Sequence, residues 1–160
     1  MQIRTATRSD ADAVWNLLQP VFRAGDTYAV DPDISRAAAL SYWMDDPAAC
    51  YVAVDAGQII GTYYIKTNQQ GGGAHVCNCG YVAGVQGQGV ATAMCAASQT
   101  QARALGYSAM QFNFVLTSNA DAIRLWHKLG FDTVGTLPNA FDHPALGMVD
   151  ALVMYKWLAD

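Results

Sequence analysis

Charge is scarce in this chain. Only 14% of its 160 residues are Asp, Glu, Lys or Arg, and 9 basic residues stand against 13 acidic ones, for a formal net charge of −4. No basic stripe emerges, which argues against a nucleic-acid partner. Long apolar runs are missing too. No stretch reaches the roughly 20 residues that span a bilayer, so no membrane partner is expected. The N-terminus, Met1-Gln2-Ile3-Arg4-Thr5, has no charged-then-apolar leader, and a cytoplasmic location is the expectation. The four cysteines, Cys50, Cys77, Cys79 and Cys95, include one C-x-C pair and no second pair at zinc spacing. No metal site is expected from them; small buried thiols in a reducing compartment are. There is no Pro- or Ser-rich linker, repeat or low-complexity segment. What is present is a 52% hydrophobic composition. That excludes disorder and suits a single domain over residues 1–160 with one proper core.

Patterning predicts the element order βααβββαβαββ. Residues 3–6 read as a first strand. Ser9-Asp10 then opens a helix with Val14, Leu17, Leu18, Val21 and Phe22 at helical spacing. Asp31-Pro32 reads as the start of a second helix, Asp as cap and Pro at the first position, carrying Ile34, Ala38, Leu40 and Trp43. Residues 50–55 and 58–66 read as strands around the turn Asp55-Ala56-Gly57. Gly71-Gly72-Gly73 reads as a flexible hairpin tip, and 75–82 as the next strand. A helix runs from the glycine-rich loop after that strand to about Leu105, closed by Gly106. Residues 110–116 are a strand. Ser118 or Asn119 caps a helix that stops at Gly130. Residues 133–137 and 149–157 close the sheet, with 138–144 as the loop between them. This is an α/β arrangement: a mixed central sheet of about seven strands flanked by about four helices.

The strongest local signal is Gln86-Gly87-Gln88-Gly89-Val90-Ala91, which follows a strand and opens a helix. A helix start leaves several N–H groups unpaired and pointing the same way, with partial positive charge from the aligned peptide dipoles. Glycines there let an anion approach the backbone. A pyrophosphate fits, and needs no basic side chain. On spacing alone a plain tight turn into a helix stays open as an alternative. A dinucleotide fingerprint fails because position 92 is Thr, and a P-loop fails because no Gly-Lys-Ser/Thr follows.

The segment Gln86 to Ala91 resembles the Q/R-x-x-G-x-G/A acetyl-CoA loop of the GNAT superfamily of N-acetyltransferases. Asn119-Ala120-Asp121-Ala122-Ile123-Arg124-Leu125-Trp126-His127-Lys128-Leu129-Gly130-Phe131 is similar to that superfamily's N-x-x-A-x-x-L-Y-E-K-L-G-F segment. The resemblance implies a GNAT-like fold and acetyl-CoA as cofactor. It implies acetyl transfer to the primary amine of a small molecule, such as an amino acid or related amine, by direct attack in a ternary complex. Backbone groups of Cys79 and Tyr81 would bond the pantetheine arm like an added strand. The Cys79 N–H would polarise the thioester carbonyl. The N–H groups of Gln88, Gly89, Val90 and Ala91 would hold the pyrophosphate, and the Asn119 side chain would reach the pantetheine. Dimerisation through the C-terminal strands is also carried over from the family. One position departs: the family often has Tyr where this chain has Trp126. An indole N–H donates a hydrogen bond but is no acid, so Trp126 can contact the cofactor's sulfur without protonating it. As a core aromatic it would sit beside Ile123 and Leu129.

The proton on the amine poses a separate question. Some family members carry a Glu four residues before the position of Cys79; here that residue is His75. Residues 75, 77, 79 and 81 share one face of a strand, and a neutral imidazole suits a base near neutral pH. An exposed His at the strand start is the alternative. His127 reads as a surface residue. Phe22, Tyr28, Trp43, Phe141 and His143 are candidate walls of the acceptor site, the last two from the predicted loop. Asn113, an amide within an apolar strand, must find partners, either the neighbouring splayed strand or a substrate carboxylate. Asp150 either anchors an ammonium or caps a strand in water. Two other functions stay open. A peptide acceptor would use Asp26, Asp31, Asp33, Asp45 and Asp46 as an acidic groove. A non-catalytic CoA-binding sensor would fit the missing Tyr and the missing carboxylate.

Overall fold

A computed structural model describes residues 1–160. Seven strands and four α-helices follow the predicted order: β1 (Gln2–Thr5), α1 (Ala11–Ala24), α2 (Arg36–Leu40), β2 (Ala49–Asp55), β3 (Gln58–Thr67), β4 (Val76–Ala83), α3 (Val90–Ala104), β5 (Ala109–Leu116), α4 (Ala120–Lys128), β6 (Asp132–His143) and β7 (Gly147–Trp157). They form one sheet ordered β1-β2-β3-β4-β5-β7-β6. All neighbours are antiparallel except β4 and β5. No helix is long and apolar enough to cross a membrane.

The strand period of two divides the core into two layers. On one face Tyr51, Tyr63, Ile65, Cys77 and Cys79 pack with Met94 and Cys95 of α3 and with Phe131. On the other face Cys50, Val52, Tyr64 and Val82 pack with Val14, Leu18 and Phe22 of α1 and with Trp43. Trp43 is fully buried, and its indole N–H is satisfied by Thr62 Oγ1 at 3.0 Å. The Thr62 hydroxyl in turn donates to the Tyr51 carbonyl at 3.0 Å.

Two sequence expectations are corrected. The second helix starts at Arg36, not at Asp31-Pro32. Ser35 is the cap, its Oγ accepting from the Ala38 N–H at 3.1 Å. Asp31 instead closes a local turn onto the Asp33 N–H at 2.9 Å, and the Pro32 carbonyl accepts from Arg23. Likewise 138–144 is not a loop. β6 continues through it to His143 around an irregularity between Leu137 and Phe141, and the reversal falls at 144–146. Asn139 takes a positive φ of 49° there, and its N–H donates to Asp150 Oδ1 at 2.8 Å. Asp150 therefore anchors a strand irregularity from across the hairpin.

The start of α1 carries a stability prediction. Both carboxylate oxygens of Asp10 accept from the Arg4 guanidinium, at 2.8 and 2.9 Å, and Asp10 Oδ2 accepts from the Thr7 N–H at 2.7 Å. These bonds, Arg4's first, hold the Asp10 carboxyl well below the usual carboxylate range. A depressed folded pKa means stability that is full above the unfolded value of about 3.9 and drains as pH falls below it. With Arg4 part-exposed, Asp10→Asn should cost about 1–2 kcal/mol at pH 7 and clearly less near pH 2, where the unfolded chain is protonated and the folded carboxylate is only beginning to be. Urea unfolding at the two pH values reads the difference.

Candidate active site

The geometry begins with the one parallel pairing. Alternate residues of a strand turn their N–H and C=O groups to the same neighbour. The Val76 carbonyl accepts from Asn68 after β3, and the Gly84 N–H donates to Ile60 on β3. Even-numbered residues of β4 therefore face β3. The His75 carbonyl accepts from Ser108 and Ala109, so odd-numbered residues face β5. The β4–β5 pairing ends after Val76↔Ala109 and Cys77↔Met110. Beyond it the strands diverge, and the backbone of Cys79 and Tyr81 faces the gap.

A cavity of about 250 Å³ occupies that gap, between Asn78–Tyr81 of β4 and Phe112–Leu116 of β5. Tyr28, Tyr42, Tyr64 and Trp126 form much of its remaining wall. A second cavity of about 570 Å³ adjoins it, lined by Gln86, Gly87, Gly89, Val90, Ala91 and Thr92 at the start of α3 and by Leu125 of α4. The two share Thr27, Tyr28, Tyr81, Asn119, Ala122 and Trp126, and so form one continuous cleft.

At the α3 end, Gly87 and Gly89 have φ of 73° and 71°. A Cβ added at either would meet nothing within 4 Å. Their glycine requirement is therefore conformational, not steric: both sit where L side chains are strained. The turn they make brings the start of α3, Gly89 through Thr92, into the cleft wall. No Lys or Arg lines it. Asn119 caps α4 with its Oδ1, which accepts from the Ala122 N–H at 3.3 Å, and so keeps its amide at the join of the two cavities. Trp126 is half-buried and tilted against Phe112 at 5.1 Å and Tyr81 at 5.2 Å between centroids. It is a core aromatic and a cleft wall at once.

This cleft is built by a known protein family. Residues 11–131 match the model of the acetyltransferase (GNAT) family. The chain belongs to that family. By family it is an N-acetyltransferase with acetyl-CoA as the acetyl donor. A GCN5-related N-acetyltransferase from Kribbella flavida is 37% identical, with TM-score 0.92, over 98% of this chain and 96% of that one. The N-acetyltransferase aca1 of Schizosaccharomyces pombe is 31% identical over 84 residues, 51% of this chain; the chain spans about 40% of that relative's length. A phosphinothricin acetyltransferase from Sinorhizobium meliloti, solved in complex with AcCoA, shares the fold at TM-score 0.86 with 18% identity, over 99% and 88% of the two chains. The single mixed sheet with four helices is the family's fold.

Gln86, Gly87, Gly89, Val90 and Ala91 of the predicted loop, with Cys79, Tyr81, Asn119 and Trp126, thus come together around one cleft in this GNAT chain, whereas Gln88 lies off its lining. The predicted acceptor and base residues do not all join them. His75 is exposed, precedes β4, lies 6.2 Å from the Trp157 ring and lines neither cavity. Its strand face is the one that Cys77 and Cys79 bury under α3, so shared parity with Cys79 leads into the core. His143 Nδ1 accepts from the Ala145 and Leu146 N–H groups at 3.1 and 3.2 Å, closing the β6–β7 turn. Phe141 stands one ring away from the cavity, 6.3 Å from Phe114. Asn113 does line it, but is exposed rather than buried. Its amide donates to Asn68 Oδ1 at 2.7 Å and its Oδ1 accepts from Gln111 at 2.9 Å. His127 is exposed, its Nδ1 donating to the Phe131 carbonyl at 2.9 Å.

Sequence reading passed over two groups. The Tyr28 hydroxyl, read only as part of a wall, donates to the Tyr81 carbonyl at 2.8 Å. Tyr64, Asn78 and Gln111 form a chain: the Tyr64 hydroxyl donates to Asn78 Oδ1 at 3.2 Å, and Asn78 Nδ2 donates to the Gln111 carbonyl at 3.0 Å. Burial pushes the phenols of Tyr28 and Tyr64 far above their ordinary value, so both remain protonated donors. Burial likewise raises the Cys79 thiol, which keeps it a neutral, unreactive side chain. No Asp, Glu, His, Lys or Arg lines the smaller cavity.

Proposed function

We propose that this GNAT chain transfers acetyl from acetyl-CoA to the primary amine of a small molecule, by direct attack in a ternary complex. The observation that carries the reading is the two-part cleft: a glycine-turned helix start at one end and a small aromatic chamber over the split strands at the other. The N–H groups of Gln88 to Ala91 hold the pyrophosphate. Backbone groups of Cys79 and Tyr81 bond the pantetheine, Asn119 and Trp126 line its path, and the Cys79 N–H meets the thioester carbonyl. The amine approaches from the side of Tyr42, Tyr64 and Asn113, with Phe141 behind Phe114.

The uncharged chamber decides which amine is suitable. A lysine-type amine, with pKa near 10.4, needs about 4.6 kcal/mol to lose its proton at pH 7, whereas one near 7.8 needs about 1 kcal/mol. With no carboxylate or imidazole lining the chamber, the amine sheds its proton to water first. Weakly basic amines, α-amines among them, are therefore favoured over lysine side chains. Log kcat/KM should rise with unit slope up to the acceptor's own pKa. The profile of His75→Ala should overlay the wild-type one within about twofold, as expected for an exposed surface residue. An inflection in the wild-type profile that disappears in His75→Ala would restore that residue as the base.

The peptide reading has less support. None of Asp26, Asp31, Asp33, Asp45 and Asp46 lines the cleft, and Asp45 is paired with Arg8 at 3.0 Å. The assay is thiol release from acetyl-CoA across a panel of small amines, free amino acids and lysine peptides. Turnover with small weakly basic amines is expected. Turnover confined to peptides, or acetyl-CoA binding without turnover on any amine, would overturn the reading.

A second copy of the chain is the partner favoured for the sheet's far side. β6 is an edge strand exposed over most of its length, and Val134, Leu137, Leu146 and Met148 of the β6–β7 hairpin are 41–64% exposed. Light scattering at micromolar concentration should give about twice the 17.1 kDa chain mass. Replacing Val134 and Leu137 by Lys should return it to the single mass.

A further inference from the structure

The gap between β4 and β5 needs a cause. In a parallel ladder each residue that faces its neighbour donates to one carbonyl and accepts from the N–H two residues further on. The His75 carbonyl accepts from Ala109 at 3.3 Å, and Cys77 sits opposite Met110. Continuing that series, the Cys79 N–H would donate to the Gln111 carbonyl. That carbonyl already accepts from a side chain, Asn78 Nδ2, at 3.0 Å.

The Asn78 amide has its orientation imposed at both ends. A carbonyl can only accept, so the nitrogen must face Gln111. The oxygen then accepts from the Tyr64 hydroxyl at 3.2 Å. Tyr64 has little freedom to move. It is 5% exposed, its ring lies edge-on to Trp43 at 4.9 Å, and it rests directly over the backbone of Gly80.

We propose that Asn78 is the positioning residue that opens the sheet. Its side chain replaces the Cys79 N–H on the Gln111 carbonyl, stops the ladder after Cys77, and leaves that N–H aimed into the cleft. The catalytic consequence rests on the reading above, in which the Cys79 N–H meets the thioester carbonyl. The amine nitrogen attacks the carbonyl carbon, the C–O π pair moves onto oxygen, and the Cys79 N–H stabilises it. The pair then returns, the C–S bond breaks with its electrons on sulfur, and the nitrogen's proton reaches the thiolate through water. Asn78 touches none of these atoms; it makes the donor available.

Amide hydrogen exchange by NMR tests the opening without any assay of activity. In the wild type the Cys79 amide should exchange at least tenfold faster than the paired Cys77 amide; equal protection would overturn the proposal. Asn78→Leu keeps the γ-branched shape and removes both polar ends, and Asn78→Asp keeps the acceptor but loses the donor. In either variant the Cys79 amide should become protected and kcat should fall about 100-fold, the scale of losing one oxyanion donor. Affinity for CoA without the acetyl group should fall by less than kcat, since the pantetheine contact at Cys79 is lost while the amides at the start of α3 stay in place. An unchanged exchange rate with kcat within threefold of wild type would sink it, even if only Asn78→Asp folds. So would a loss of kcat and CoA affinity with no gain in Cys79 protection. Wild-type exchange as expected with no amine turned over would instead sink the proposed reaction and leave the opening standing.

Discussion

Gly89→Ala is expected to weaken acetyl-CoA binding by about 10- to 100-fold while leaving thermal stability nearly unchanged. The backbone of Gly89 has a φ of 71°, which costs an L residue about 1–2 kcal/mol. The new methyl meets nothing within 4 Å, so no packing is lost. The turn can relieve its strain by rotating, and rotation re-aims the N–H groups that start α3. Hydrogen bonds to a charged group contribute about 1.5–3 kcal/mol each. Loss of one, together with misalignment of its neighbours, gives the expected range. No Lys or Arg in the cleft lining compensates. Calorimetry reads the affinity and a melting curve reads the stability. A Kd within twofold of wild type would mean that these amides are not the anion's ligands.

Gly80→Ala is expected to do the opposite, destabilising the fold by about 2–3 kcal/mol. A Cβ at Gly80 would lie 2.6 Å from Cε1 and 2.9 Å from Cζ of Tyr64. The ring packs edge-on against Tyr42 and Trp43, which restricts how it can yield to the new methyl. Either Tyr64 is expelled or β4 shifts, and each breaks the bond from Tyr64 to Asn78. Urea unfolding should show the lowered midpoint. Activity per folded molecule should fall as well, since the strand that carries Cys79 moves with it. A cost below about 0.5 kcal/mol would show that the ring is freer than its neighbours allow.

The element order was legible because strands of this sheet carry apolar residues on both faces and turns carry glycine or Asx residues. The Gln86–Ala91 loop was legible because its glycines are needed by backbone conformation, which sequence records directly. Three features were not. Asp31-Pro32 has the chemistry of a helix start, but Arg23 ties down the Pro32 carbonyl and Ser35 becomes the cap. Residues 138–144 contain Pro, Asn and Asp and read as loop. Pairing with β7 and the Asn139–Asp150 bond keep them in the sheet, a tertiary override of local propensity. His75 shares parity with Cys79, and parity was a sound guide to face. What it could not tell was that this face is buried under α3, while the cleft is reached by the backbone edge of the same strand.

Asn78 was the least legible of all. Nothing in Val76-Cys77-Asn78-Cys79 distinguishes an amide that satisfies itself locally from one that holds two strands apart. The distinction depends on Gln111, 33 residues away, and on Tyr64 across the sheet. Asn113 drew attention instead because it interrupts an apolar strand, yet its partners are surface amides.

In the proposed reaction, main-chain N–H groups at the start of α3 grip the diphosphate of acetyl-CoA without help from a basic side chain. An amide-resolved NMR titration with acetyl-CoA tests it directly. The largest shifts should fall on Gly87 through Thr92, with a separate response at Cys79. Saturable binding that leaves those amides unmoved, or no binding at millimolar concentration, would contradict it.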